Sequence, residues 1–420
     1  MEDDLLIEIT PEINDANQPS IIKVIGVGGG GGNAVGNMYK EQIEGVRFVV
    51  CNTDMKALQD SPVPDRVQIG EGLGAGGRPE IGQRLAEENI TSVQGMLDDA
   101  TKMVFITAGM GGGTGTGAAP IVAREAMKRG ILTIGIVTIP FLFEMKPKID
   151  KALDGVEKMA QEVDALLVVN NERLRHVYSD LTVVNAFKKA DDTLTKAVRS
   201  IVEIITMRGF QNLDFCDVET CLRGGGVAVM STGYASGDKR VTKAIADALN
   251  SPLLNDKDIY KSKSLRLAIF YPPESTGNSM MMDEMNEINE FMMQFREDVD
   301  VKYGMTEDAE LTDEIKITIL ASGFRLAPGQ DPEEDMDVTP RTAEQIDEEK
   351  QKERRRQEAY EGTQMRQRYH RIFLFEDEDF DNEELIAMVE GNDVYRRTDS
   401  DSRKLREVSQ ANKTIEMLED

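Results

Sequence analysis

The chain is 420 residues long and carries 49 Lys and Arg against 76 Asp and Glu, a formal net charge of −27. That length suggests two or three structural units, and a hydrophobic content of 40% is enough for a sizeable core. The acidic balance argues against nucleic acid as the main partner, because a phosphate backbone needs clustered Lys and Arg, and it disfavours direct insertion into or binding of anionic membranes.

Residues 1–19 are acidic, contain Pro and Asn, and read as a flexible arm. The opening Met-Glu-Asp-Asp lacks the basic stretch of a secretory signal. Residues 21–27 read as a buried strand, 28–32 as a glycine loop and 34–42 as a helix. A second strand at 46–51 ends in Asn52-Thr53-Asp54, and a third at 103–107 leads into a second glycine loop at 109–117. Residues 118–129 are helical, 131–138 form a fourth strand and 165–169 a fifth. Strands alternating with helices imply an α/β fold, a mostly parallel sheet with helices on both faces and ligands at the carboxyl ends of its strands. The longest apolar run, 131–143, is interrupted by Thr, Gly and Pro and is too short to span a bilayer.

Apolar residues recur near a 3.6 period over 183–208, which predicts one long helix. A second, smaller α/β unit follows, with strands at 226–232, 264–271 and 315–322. A Met-rich amphipathic helix at 280–296 has its methionines expected in the core. Beyond about 328 dense mixed charge reads as a disordered or transiently helical linker, and the islands 372–375, 385–389 and 393–397 as docking peptides. The three cysteines, Cys51, Cys216 and Cys221, fit neither a disulfide framework nor a zinc pattern and read as reduced thiols; no metal ligand set is expected.

The first loop, Gly28-Gly29-Gly30-Gly31-Gly32-Asn33, follows a strand and opens a helix, as a dinucleotide fingerprint does. Asp54 then stands where a ribose-binding acid belongs, so a dinucleotide-dependent oxidoreductase survives on this loop alone. The second loop, Gly111-Gly112-Gly113-Thr114-Gly115-Thr116-Gly117, offers amides and two hydroxyls to a phosphate, but lacks the Lys-Ser/Thr of a Walker A loop. On the residues alone Phe187 reads as core, Asp191-Asp192 as a solvated face, and Asp214-x-x-Asp217 as a helix N-terminus.

The Gly-Gly-Gly-Thr-Gly-Thr-Gly run resembles the signature of the tubulin/FtsZ superfamily, and 21–325 as a whole resembles its bacterial cell-division GTPases. The resemblance implies a Rossmann-like GTP-binding domain over 20–185, a central helix at 186–208, a synergy loop at 209–217 and an activation domain at 218–326. A charged linker would occupy 327–371 and a docking tail 372–420. It implies that Gly29, Gly30, Gly31, Gly32 and Asn33 contact the nucleotide. Gly111, Gly112, Gly113, Thr114, Gly115, Thr116 and Gly117 would hold phosphates, and Gly74, Ala75 and Gly76 would lie on the loop sensing the γ-phosphate. That loop ends here in Gly77-Arg78 where relatives often have Ala-Asn. Glu144 would accept from ribose hydroxyls, with Lys148 where many relatives place Arg. Phe187 would stack on the purine, and Asp191 would accept from guanine N1–H and N2–H.

Asp214, Asp217 and Asn212 resemble the catalytic acids and amide that position water, with Mg²⁺, and K⁺ as a further candidate, on the phosphates. The loop that carries them lies at the end of the long helix, about 20 residues beyond Phe187, roughly 30 Å at 1.5 Å per helical residue, so they cannot reach the GTP of their own chain. The resemblance therefore implies a head-to-tail homopolymer that hydrolyses GTP on assembly, in the cytoplasm at a midcell division ring. Its tail would bind membrane-anchor and division proteins. A GTP-binding scaffold without hydrolysis is the remaining alternative.

Overall fold

The computed structural model describes residues 20–97, 99–177, 182–250, 259–295, 299–324, 352, 354–356, 372–373 and 414–415. The expected arm at 1–19 lies outside the described residues, as do most of the expected linker and of the docking islands. The first half alternates β1 (Ile22–Val27), α1 (Gly28–Lys40), β2 (Val46–Asn52), α2 (Met55–Gln59), β3 (Asp65–Gln68), α3 (Pro79–Glu88), α4 (Ile90–Gly95), β4 (Met103–Gly109), α5 (Thr114–Lys128), β5 (Leu132–Ile139), α6 (Lys146–Gln161), β6 (Ala165–Asn170) and α7 (Asn171–Val177). The second half comprises α8 (Val183–Thr206), α9 (Phe215–Leu222), β7 (Gly226–Ala235), α10 (Arg240–Leu249), β8 (Ser264–Tyr271), α11 (Glu284–Met292), β9 (Asp300–Glu307) and β10 (Ile315–Phe324).

One ten-stranded sheet runs β3-β2-β1-β4-β5-β6-β7-β10-β8-β9. The strands from β3 to β7 are parallel, and β10 pairs antiparallel with both β7 and β8. β1, β4 and β5 are buried along almost their whole length because helices cover both their faces, as parallel sheets require, and Lys23 of β1 is buried with them in a pair with Asp99. The apolar stripe of α8, with Leu194, Val198, Ile201 and Val202 buried, joins one core with β1, β4, β5 and β6. β10 divides its side chains between two cores: Leu320 faces that one, whereas Ile315, Ile317 and Ile319 join α10 and α11 in another.

The first glycine run, expected as a loop, is helical instead, with α1 starting at Gly28, whereas the second keeps its loop over residues 110–113 and turns helical only from Thr114, where α5 starts. Close packing, described below, makes up for the poor helix propensity of glycine. β3 and β9 escape the sequence reading because they are edge strands rich in charge, and the polar pattern of such strands hides them. The Met-rich helix is shorter than expected. Met285 and Met292 pack on the core, but Met281, Met282 and Met293 are exposed, so the methionines are only partly core. Among the described residues no helix is long and apolar enough to cross a membrane. Residues 364–420 belong to a second unit, in which Ile372–Phe373 and Thr414–Ile415 pair antiparallel.

Candidate functional site

The order β3-β2-β1-β4-β5-β6 reverses direction between β1 and β4. Right-handed crossovers send the helices that follow these two strands to opposite faces, which opens a crevice at their carboxyl ends. Both glycine motifs begin there. A Cβ on Gly31 would lie 2.2 Å from the Thr107 carbonyl oxygen, and one on Gly115 would lie 2.6 Å from that of Gly109. On Gly117 it would lie 2.0 Å from the Pro79 carbonyl oxygen, and on Gly113 2.8 Å from the Ala75 Cβ. Gly111 needs its positive φ of 96° to turn out of β4. Gly29, Gly32 and Gly112, by contrast, face open space, and Gly30 and Asn33 are exposed beside them. The glycines thus divide into those that let two helices and a loop converge and those that leave backbone bare toward the crevice.

Hydrogen bonds fix this convergence. Gly111 N donates to Thr116 Oγ1 at 2.9 Å, and Gly117 N donates to the Gly113 carbonyl at 3.0 Å. Thr53 and Thr114 share a hydroxyl–hydroxyl bond of 2.6 Å, which ties the end of β2 to the start of α5. Gly74 N donates to the Thr53 carbonyl at 2.9 Å, so the loop carrying Gly74, Ala75 and Gly76 is hung from the same point. Lys151 Nζ donates to the Gly77 carbonyl at 3.1 Å from the other side. Arg78 is exposed at the N-terminal cap of α3. Asp54 caps α2, accepting from Lys56 N at 2.9 Å and Ala57 N at 3.4 Å. Its carboxylate is engaged there as a helix cap, which removes the main support for the oxidoreductase reading.

On the far side of the crevice Glu144 accepts from Phe141 N at 2.9 Å and pairs with Lys148 Nζ at 2.5 Å. Phe187, 41% exposed, stands edge-on to Phe141 at 5.0 Å and to Phe143 at 6.5 Å. One turn further along α8, Asp191 lies 3.5 Å from Asn37 Nδ2 of α1. Burial, with the charge of Asp192 beside it, pushes the Asp191 carboxyl up to about 7. The result is a half-buried acceptor beside an exposed ring, a few residues from bare backbone amides. That arrangement suits a purine with hydrogen-bond donors on its edge.

Asn212, Asp214 and Asp217 are not part of this cluster. They lie past the opposite end of α8, whose 24 residues span roughly 36 Å. Asp214 and Asp217 cap α9 reciprocally, so the bland reading of Asp-x-x-Asp as a helix start is correct locally. Asn212 accepts from Gly209 N at 2.6 Å, and the loop is held against β9 by paired backbone bonds between Gln211 and Met305. Lys302 Nζ meets Asp217 at 2.6 Å. Burial opposes the Asp217 charge, but the bonds from Lys302 and from Asp214 N outweigh it and hold the carboxyl below its ordinary range. Asp214 and Asn212 are exposed, and Phe210 beside them is 89% exposed. Leu73, at the nucleotide end, is 87% exposed.

Sequence reasoning missed Asn37, Thr53, Lys151 and Lys302 as supports of the site. Each is an isolated polar residue, and only the fold brings it to its partner. Among the described residues no cluster of three or more His, Cys, Asp or Glu could hold a metal ion. The donor set at the crevice, backbone N–H and threonine hydroxyls, fits a cation that arrives on phosphates rather than one chelated by the protein.

Comparison with known proteins is consistent along the chain. Residues 21–179 match the Tubulin/FtsZ family, GTPase domain; 226–325 match the FtsZ family, C-terminal domain; and 367–412 match FtsZ, C-terminal. The cell division protein FtsZ of Porphyromonas gingivalis is 53% identical over 331 residues, covering 78% of this chain and 71% of that protein. The FtsZ of Pseudomonas aeruginosa is 41% identical over 318 residues, covering 74% and 79%. Among solved structures, the empty FtsZ dimer of M. jannaschii superposes with a TM-score of 0.66 at 34% identity, covering 73% and 89%. CetZ2 from Haloferax volcanii, a GTPγS-bound protofilament, shares the fold at a TM-score of 0.63 and 21% identity, covering 80% and 98%.

Proposed function

The chain belongs to the FtsZ family and is a GTP-hydrolysing cell-division protein, and from that premise we propose that its active centre is divided between two stacked subunits. One subunit binds GTP in the crevice between β1 and β4. Gly29, Gly30, Gly32 and Asn33 lie along the nucleotide, and Gly31 serves them by letting α1 pack against β4. Gly111, Gly112, Gly113 and Thr114 receive the phosphates, with Gly115, Thr116 and Gly117 setting the helix start. Gly74, Ala75 and Gly76 close over the terminal phosphate. Glu144, oriented by Lys148, accepts from the ribose. Phe187 covers the base, and Asp191 selects guanine by accepting from its N1–H and N2–H. Mg²⁺, carried by the phosphates, would neutralise their charge, with K⁺ as a further candidate.

The next subunit supplies Asp214, Asp217 and Asn212. Asp214, exposed, orients and polarises the attacking water. Asp217, pinned by Lys302, fixes the helix start on which Asp214 stands, and Asn212 shapes the turn before it. Phosphoryl transfer demands mainly this kind of positioning. The observation that carries the reading is the length of α8 between Phe187 and the acids: at 1.5 Å per residue the two ends are about 30 Å apart. A contact between unlike ends does not close on itself and generates a filament. Exposed Leu73 and Phe210, at opposite ends of the subunit, are suited to burial in that contact.

The tail beyond the linker would recruit membrane-anchor and division proteins, placing the filament at the midcell ring. The deciding experiment follows light scattering and phosphate release together, with GTP or ATP, across protein concentration. Turnover per molecule should rise with assembly and require GTP. Constant turnover at concentrations where no polymer scatters would overturn the divided site.

A further inference from the structure

The outer face of α6 carries three acids in helical register, Asp150, Asp154 and Glu157, while Ile149, Ala152, Val156 and Met159 face the core. Against these acids lie the helical residues 354–356 of the basic linker, which follow Lys352. The Arg356 guanidinium straddles Asp150, with Nε to Oδ1 at 2.6 Å and Nη2 to Oδ2 at 3.4 Å. Arg355 spans the other two acids, at 3.0 Å from Asp154 and 3.2 Å from Glu157. Exposed ion pairs contribute little singly. Here Arg356 is only 7% exposed, and two guanidinium groups engage three carboxylates, a forked and networked geometry that is the stronger kind.

The contact brings the linker to the end of the subunit opposite the one where β10 stops. β10 ends at Phe324, opposite Val227 at the start of β7, and the neighbouring residue Gly226 pairs with Ala165 at the start of β6. That is the end of the sheet away from the glycine motifs. α6 begins just after β5, at the nucleotide end. Lys148 and Lys151, which flank Asp150, hold Glu144 and the Gly77 carbonyl. Residues 325–351 have ample reach from one end to the other, at up to ~3.3 Å per residue.

We propose that the outer face of α6, through Asp150, Asp154 and Glu157, is a docking surface for the chain's own linker around Arg355 and Arg356, which holds this stretch of the linker beside the nucleotide-binding end of the subunit, away from the end of β10. The occupant is intramolecular. Tethering gives the linker a high effective concentration at α6, which a linker from another copy must exceed. In a protein of net charge −27, a run with four cations in five residues also has few better-matched positions than an acidic stripe. The docking holds whatever occupies the crevice.

The test compares full-length protein with an Asp150→Asn, Asp154→Asn, Glu157→Gln variant, in which the linker sequence is untouched. Tryptic cleavage after Arg354, Arg355 and Arg356, and amide exchange over 352–356, should both be at least about tenfold faster in the variant. The wild type should move the same way as salt is raised and be independent of protein concentration. Unchanged exchange in β4 and β5 reports that the variant is folded. Should it not fold, Arg356→Gln, read by amide exchange alone, replaces it and should show the same loss of protection. Equal linker cleavage and exchange in wild type and variants would overturn the docking. Protection that grows with protein concentration would overturn its intramolecular form.

Discussion

Asp214 Oδ1 accepts the backbone N–H of Asp217 at 2.9 Å, and Asp217 Oδ2 accepts that of Asp214 at 3.1 Å. The two acids proposed for the divided site are therefore also the capping box of α9. This dual role decides how a substitution should be made. Asn is as good an N-cap as Asp, so Asp214→Asn keeps the helix start while removing the charge that polarises water. GTP turnover should fall by about 100-fold or more, the usual loss for a positioned acid or base. GTP binding and the melting temperature should stay near wild type. Full turnover in Asp214→Asn polymers would remove Asp214 from the chemistry. Asp217→Asn should differ by also losing its pair with Lys302, and so should lower the melting temperature as well as turnover.

Asp191 predicts a proton coupled to guanine. Its carboxyl stands near 7 in the folded chain because burial and Asp192 disfavour the charge. In the unfolded chain it returns to about 3.9. Between those values the folded state holds the extra proton, so this group's contribution to stability is complete below about pH 4 and is lost as pH rises through 7. Nucleotide binding runs the other way. With the carboxylate accepting from guanine as proposed, binding below pH 7 expels a proton, and affinity should weaken by up to about tenfold per pH unit as pH falls. Calorimetry in buffers of different ionisation enthalpy reads that proton directly. Asp191→Asn should abolish the release; a pH profile identical to wild type would assign the proton to another group.

A divided site also predicts complementation. Asp214→Asn subunits retain the crevice, and Asp191→Ala subunits retain the acids, but neither alone has both halves at one interface. Mixed in equal amounts, they should recover about a quarter of wild-type turnover, the fraction of random head-to-tail contacts that join two intact halves. No recovery in co-assembled filaments would mean that both groups act within one chain.

The sequence made the alternating strands, the long helix and both glycine motifs legible because each is a run with a strong local period or composition. The ends of the site were harder. Asp191 and Asn37 are 154 positions apart and meet only because α1 and α8 cross. Lys302 reaches Asp217 from β9, an edge strand whose charged pattern gives little sign of a strand. Phe187 reads as core, yet it stays 41% exposed beside Phe141 and Phe143. Local chemistry fixes which residues can act; topology fixes which of them meet.

The glycine runs offer the sharpest separation of folding from binding, because two residues of the same type and the same helix should respond in opposite ways. A methyl group on Gly31 would sit 2.2 Å from the Thr107 carbonyl oxygen, inside backbone that cannot yield without moving α1 off β4. Gly29 has nothing within 4 Å of the same added atom and has no positive φ to strain. Gly31→Ala should therefore cost about 1–3 kcal/mol as an overpacked position and lower the melting temperature with or without nucleotide. Gly29→Ala should be neutral or stabilising in the empty protein, since Ala is the better helix former by up to ~1 kcal/mol. Its methyl group would point into the crevice, so GTP affinity should drop while the fold persists. Thermal melts of both variants with and without GDP separate the two effects. A Gly29→Ala protein that melts higher than wild type and binds GTP as tightly would show that this end of α1 does not face the nucleotide.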